Sequence, residues 1–231
     1  MNPGDPKILL LSLAGGVIPA LVWLWFWLKE DRKKPEPTGL LAIIFIVGMI
    51  GVFFVIPIQK LIRSAFDSSN TEIILWAAAE EVIKYLAVLI ILFRSHYINE
   101  PLDWPIYLIT AALGFAALEN TLFLMKPLSL NETTVGLLTG QLRFLGSTLL
   151  HAVASGMLGI ALGLSFYLNK YKRRFYLFSG LIVATALHST FNFFIMKNNG
   201  SEFLKVFGFL WVVTIILMLL FEKLRRMDGI K

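Results

Sequence analysis

TEIILWAAAEEVIKYLAVLIILF, Thr71 to Phe93, is long enough to cross a bilayer as a helix, yet it carries Glu80, Glu81 and Lys84 at its centre. A charge at that depth costs roughly 2.5 to 3.5 kcal/mol, so three nearly cancel the gain from the aliphatic residues unless they are paired or wetted. A bundle of helices with a polar, water-holding interior meets that requirement. The run therefore predicts both an all-helical membrane fold and a functional centre inside it.

The rest of the chain agrees. Of its 231 residues 57% are hydrophobic and the mean hydropathy is +0.74, well beyond a soluble domain. Six further runs are long enough to span: Ile8–Leu28, Gly39–Ile58, Trp104–Met125, Ser147–Leu168, Phe175–Met196 and Phe203–Leu220. This predicts an all-α, polytopic bundle of about seven spans forming one integral-membrane domain over residues 1–231. The first run ends in Trp23, Trp25 and Trp27 and a charged segment rather than a small-residue cleavage site, so it reads as a retained span. The absence of cysteine excludes disulfides and thiolate chemistry.

The net charge of +6 does not point to nucleic acid, because the basic residues sit in short loops. Lys29, Arg32, Lys33 and Lys34, then Lys170, Lys172, Arg173 and Arg174, then Lys223, Arg225, Arg226 and Lys231 all fall on one side of a seven-span thread. That side is expected to be cytoplasmic, with the N-terminus outside and the C-terminus inside, as in a multi-pass protein of a prokaryotic plasma membrane. Asn131–Gly146 is too polar to span and reads as a short interfacial helix on the outer side. Trp23, Trp104 and Trp211 read as interface anchors or lipid-facing fillers.

Ionisable groups lie in four spans. At about 1.5 Å per residue from the outer end of each, Glu80 lies roughly 14 Å down, Glu119 about 9, His151 about 6, and His188 about 12. Asn120 and Asn192 fall at about 8 and 6 Å by the same rise. Glu80 with Lys84, Phe115 with Glu119, His151 with Ser155, and His188 with Asn192 are i,i+4 pairs on one helical face. Antiparallel neighbours thus bring carboxylates and imidazoles to one layer. Gly114, Gly156, Gly159 and Gly163 read as packing residues.

Carboxylate and imidazole together suit the activation of water, with one Glu as general base and imidazole and amide donors at the oxyanion. Two His and one Glu also form a familiar catalytic zinc set. The residues leave both open, and an ion-coupled transporter with an acidic path is a further alternative. Ser155 beside His151 is a weak nucleophile candidate.

Glu80-Glu81-Val-Ile-Lys84, Gly114-Phe115-Ala-Ala-Leu-Glu119-Asn120, His151-Ala-Val-Ala-Ser155 and His188-Ser-Thr-Phe-Asn192, in that order, resemble the motifs of the PrsW family of intramembrane proteases, related to CAAX-type and bacteriocin-processing membrane proteases. The segment Trp23–Asp31 followed by Glu36-Pro37 also resembles the family's first loop. Glu-Glu-x-x-Lys and a second-motif Glu depart from the CAAX pattern, which makes a prenylated substrate the weaker expectation. The resemblance implies that Glu80, Glu81, Glu119, His151 and His188 form the active centre. It further implies cleavage of a membrane-tethered, anti-sigma-factor-like protein near its extracytoplasmic side. Glu80 or Glu81 is expected to activate water, with Glu119 and His151 assisting, His188 and Asn192 at the oxyanion, and Lys84, Asn120 and Ser155 in support. A glutamic-type mechanism is preferred. The alternative places zinc or another divalent cation on Glu119, His151 and His188.

Overall fold

The computed structural model describes residues 6–31, 34–66, 68–93, 95–130, 146–197 and 203–228. Seven α-helices account for most of them: α1 Pro6–Leu28, α2 Thr38–Ala65, α3 Ser69–Leu92, α4 Asp103–Ser129, α5 Thr148–Leu164, α6 Lys170–Lys197 and α7 Phe203–Asp228. No strand occurs among the described residues. The expected interfacial helix at Asn131–Gly146 lies almost wholly outside them.

Five helices, α1, α2, α4, α6 and α7, are long and apolar enough to cross a membrane. The two other expected spans differ for opposite reasons. α3 has the length but carries the charges of its central run, and α5 is apolar but only 17 residues long, about 25 Å. α5 stops early because Ser165 closes it, its backbone N–H reaching Ala161 and Leu162, and Asn169 caps the next helix through Lys172 N–H at 3.0 Å. Its length need not match the bilayer, since nearly all its residues are covered by protein.

α4 is the axis of the bundle. Its spanning window is 72% buried, against 22% to 39% for the four other long apolar helices, and it packs on α1, α2, α3 and α5. Close approach is set by glycine. A Cβ on Gly48 of α2 would lie 2.1 Å from the Ala111 carbonyl oxygen of α4, and one on Gly114 of α4 would lie 1.9 Å from the Phe45 carbonyl oxygen of α2. The two backbones touch, which is how small residues hold membrane helices together without a hydrophobic driving force. Of the other glycines read as packing residues, Gly159 and Gly163 would set a Cβ 2.3 and 2.5 Å from the backbone of Pro105 and Pro101, whereas Gly156 would meet only side chains, Leu217 nearest at 2.9 Å.

At the start of α4 a polar clasp fastens the loops to the bundle. Asp31, Glu36, Glu100 and Asp103 are all buried there, although the sequence gives them to solvent-facing connections. Asp103 Oδ2 accepts the backbone N–H groups of Asn99 and Glu100 at 2.6 and 2.8 Å, and Asp31 Oδ2 accepts that of Glu36 at 3.2 Å. The Tyr107 hydroxyl donates to Glu36, and Lys34 reaches Glu100 at 2.9 Å. Burial raises the Glu36 carboxyl above its ordinary range, opposed by the hydrogen bond from Tyr107. Trp104, next in sequence, is a buried wall of the bundle rather than an exposed anchor, because its ring packs against the start of the bundle.

Candidate active site

α3, α4, α5 and α6 bring Glu80, Glu81, Lys84, Glu119, His151, Ser155 and His188 into one buried cluster. The i,i+3 and i,i+4 spacing of α3 puts Glu80, Glu81 and Lys84 on its protein face, while Val82 and Leu86 face outward. α5 presents His151 and Ser155 one turn apart, and the T-shaped rings of His151 and His188 lie 5.0 Å apart. Phe115 closes the side beneath His151, with Lys84 Nζ 4.8 Å from its ring centre.

The two adjacent glutamates have different surroundings. Glu81 is fully buried and fully engaged: Oε1 accepts from Lys84 Nζ at 2.7 Å and pairs with His188 Nδ1 at 2.9 Å, while Oε2 accepts from Ser155 at 2.6 Å. Three donors therefore compete with water for its lone pairs. Glu80 is held through Oε1 by Gln59 Nε2 at 3.0 Å, but its buried Oε2 has no hydrogen-bond partner.

The partners of the imidazoles assign their tautomers. Lys84 donates to His151 Nδ1 at 2.7 Å, so Nδ1 carries the lone pair and Nε2–H donates to Glu119 at 3.1 Å. His188 donates Nδ1–H to Glu81, which turns its Nε2 lone pair toward Glu80 Oε2 at 3.6 Å. His151 Nδ1 lies 4.0 Å from the same oxygen. Three acceptors thus converge, with one ligand atom from each of Glu80, His151 and His188 within 4.8 Å of the others. Facing lone pairs repel unless a cation or a proton lies between them, and the Lys84 ammonium, on His151 Nδ1 and 3.8 Å from Glu80 Oε2, offsets part of that repulsion.

The donor set suits a divalent cation. Each imidazole has its outer nitrogen on a carboxylate, His151 on Glu119 and His188 on Glu81, the arrangement that orients histidine ligands. The third atom at ligand spacing in this arrangement is Glu80's; Glu119, expected there from the sequence, stands behind His151 with its side chain 20% exposed. The one crowding group is Lys84, on His151 Nδ1.

Other expected residues are placed apart. Asn120 donates to Thr148 at 2.9 Å, tying α4 to α5 rather than entering the cluster. Asn192 lies one turn beyond His188, half-buried, and no hydrogen bond joins it to the cluster. Ser155 spends its hydroxyl on Glu81, so no histidine activates it as a nucleophile. Gln59 went unnoticed in the sequence; a lone amide near the end of an apolar helix carries no periodic signal, and only the α2–α3 packing reveals its role.

Residues 36–221 match the sequence profile of a family described as PrsW family intramembrane metalloprotease. The chain is 28% identical over 187 residues to the Protease PrsW of Geobacillus kaustophilus, covering 80% of this chain and 79% of that protein. The Protease PrsW of Clostridioides difficile is 28% identical over 194 residues, covering 78% and 77%, and that of Oceanobacillus iheyensis 28% over 213 residues, covering 90% and 94%. No solved structure matches the chain.

Proposed function

The chain belongs to the PrsW family of intramembrane proteases, and from that membership we propose that it hydrolyses a peptide bond of a membrane-tethered protein at the Glu80–His151–His188 centre, with a divalent cation held by those three residues. The observation that carries this reading is the convergence of Glu80 Oε2, which has no hydrogen-bond partner, with one ring nitrogen each of His151 and His188 in a buried site, Lys84 being the one donor on His151 Nδ1. A cation of the zinc type would supply Lewis acidity there, polarising the scissile carbonyl and making water a stronger acid.

The chain's own groups do the rest. Glu81 and Glu119 fix the two imidazoles in the tautomers that turn one lone pair of each inward. Glu119, the most exposed carboxylate of the cluster, takes the proton from the attacking water and returns it to the leaving nitrogen as the C–N bond breaks. Lys84 offsets the buried charge of Glu81 and lies close enough to stabilise the tetrahedral oxyanion.

A second reading rests on the same ammonium. Lys84 already donates to His151 Nδ1, so Glu80 Oε2 alone, with His188, accepts a proton from water without any cation. This is the glutamic mechanism that the sequence favours. Membership of a protease family leaves the transporter alternative without support. The substrate we propose is a single-span protein of the anti-sigma class, cut near its extracytoplasmic side.

The test is site-specific cleavage of tethered single-span substrates in proteoliposomes, by wild type and Glu80→Gln, with and without a strong chelator. Loss on chelation and recovery with Zn²⁺ supports the cation; a drop of about 10³-fold in Glu80→Gln is expected under either reading. Cleavage that survives chelation but not Glu80→Gln selects the glutamic mechanism. Full cleavage by Glu80→Gln overturns both.

A further inference from the structure

A cavity of about 530 Å³ opens between α3, α4, α5 and α6 at the end of the bundle where α6 begins. Leu177, its lining residue nearest to His188 in α6, is about 16 Å from that histidine along the helix, so the cavity is separate from the cluster described above.

Its rim carries Lys170, Arg173 and Arg174, all exposed, and none of them pairs with an acid among the described residues. Arg63, Arg226 and Lys34 find carboxylates elsewhere, whereas these three share one opening without any among the described residues. Its walls are Tyr85, Trp104 and leucines. Trp104 is only 6% exposed, and its indole Nε1 has no hydrogen-bond partner among the described residues. A buried N–H left in that condition calls for an acceptor.

Cations at the mouth, a buried donor in the wall and an apolar lining describe an amphiphile with a negatively charged, acceptor-rich head. The site also lies at the boundary where α6 passes from its basic first turns to its apolar run, the depth of lipid headgroups. We propose that this cavity binds the phosphate headgroup of an anionic phospholipid, its acyl chains lying along Leu162 and Leu177. A free phosphate would match the rim but leave the leucines uncovered. The occupant bridges α3 and α6, the helices that supply Glu80, Glu81 and His188.

The test is native mass spectrometry of the full chain in detergent, offered equal amounts of dioleoyl phosphatidylglycerol and dioleoyl phosphatidylcholine. One phosphatidylglycerol per chain is expected, preferred about tenfold or more. Joint replacement Lys170→Gln, Arg173→Gln and Arg174→Gln should lower its retention about tenfold or more, whereas Lys172→Gln, on the same turn but outside the cavity, should leave it unchanged. Trp104→Phe keeps the ring, removes the donor and should weaken retention a few-fold, on the order expected for one hydrogen bond. The three basic side chains are exposed, so the triple variant's unfolding temperature should be unaltered in phosphatidylcholine alone. Equal retention of phosphatidylcholine, or a loss in Lys172→Gln as large as in the triple variant, overturns the proposal. Inorganic phosphate that displaces the lipid at equal concentration overturns it in favour of a free-phosphate site.

Discussion

The Glu80 cluster and the Glu36 clasp are both buried, both acidic, and about 24 Å apart along α4 from Asp103 to Glu119; they differ in what their oxygens face. In the clasp, backbone N–H groups, a tyrosine hydroxyl and an exposed lysine meet the carboxylates, and the one buried oxygen left without a hydrogen-bond partner among the described residues, Asp103 Oδ1, belongs to a group whose other oxygen holds two backbone N–H groups. In the cluster, Glu81 is equally satisfied, but Glu80 Oε2 and the His188 Nε2 lone pair face one another without a hydrogen bond, and Lys84, which holds His151 Nδ1, stays 3.8 Å from Glu80 Oε2. Burial of charge alone therefore does not identify a reactive site. An unsatisfied convergence does, because a fold that could have closed it with a donor has left it open to a ligand or a proton.

The sharpest way to break this comparison is to remove the lysine from each region. Lys84→Met leaves Glu81 buried beside one imidazole and should cost about 3 to 5 kcal/mol, read as loss of folded protein in thermal unfolding and abolished cleavage. Lys34→Met removes a cation whose side chain is 56% exposed, and should cost about 1 kcal/mol or less with cleavage retained. Similar losses in the two variants would show that the regions are one kind of structure.

A smaller effect probes the packing that holds the regions in register. Gly114→Ala puts a methyl group against the Phe45 carbonyl of α2, where no flexible side chain can yield. It should destabilise by about 1 to 3 kcal/mol and lower cleavage by shifting Phe115 under His151. Gly39→Ala, at a glycine with open space around it, is the control and should be neutral.

The smallest effect concerns pH. Because the Glu36 carboxyl is raised by burial above its unfolded value of 4.5, the folded state binds its proton more tightly. Its contribution to stability is therefore complete below the unfolded value and is lost as pH rises through the folded one. Glu36→Gln removes that loss, so wild type should fall relative to the variant with rising pH by at most about 1.4 kcal/mol per unit, measured by thermal unfolding across mildly acidic to neutral pH. A wild type that gains on the variant as pH rises would mean that the clasp prefers its carboxylate charged.

Much of this was readable from the chain. The spans follow from apolar runs, and Glu80, Glu81, Lys84, Glu119, His151 and His188 from charges that such runs cannot carry idly. The structure brings all six together. Gln59, the clasp carboxylates and the burial of Trp104 were not readable, since each depends on a neighbour far away in the sequence.

The sequence by itself determined that the chain is a helical membrane bundle and which helices carry ionisable groups, because transfer free energy and the 3.6-residue period are local properties. Only the tertiary structure decided which glutamate is held by three donors, that Glu80 lies at ligand spacing from both imidazoles, and which imidazole nitrogens face inward. Those are differences of about an ångström, set by interhelical contacts such as Gly48 on Ala111 and Gly114 on Phe45, between backbones that no local pattern brings together.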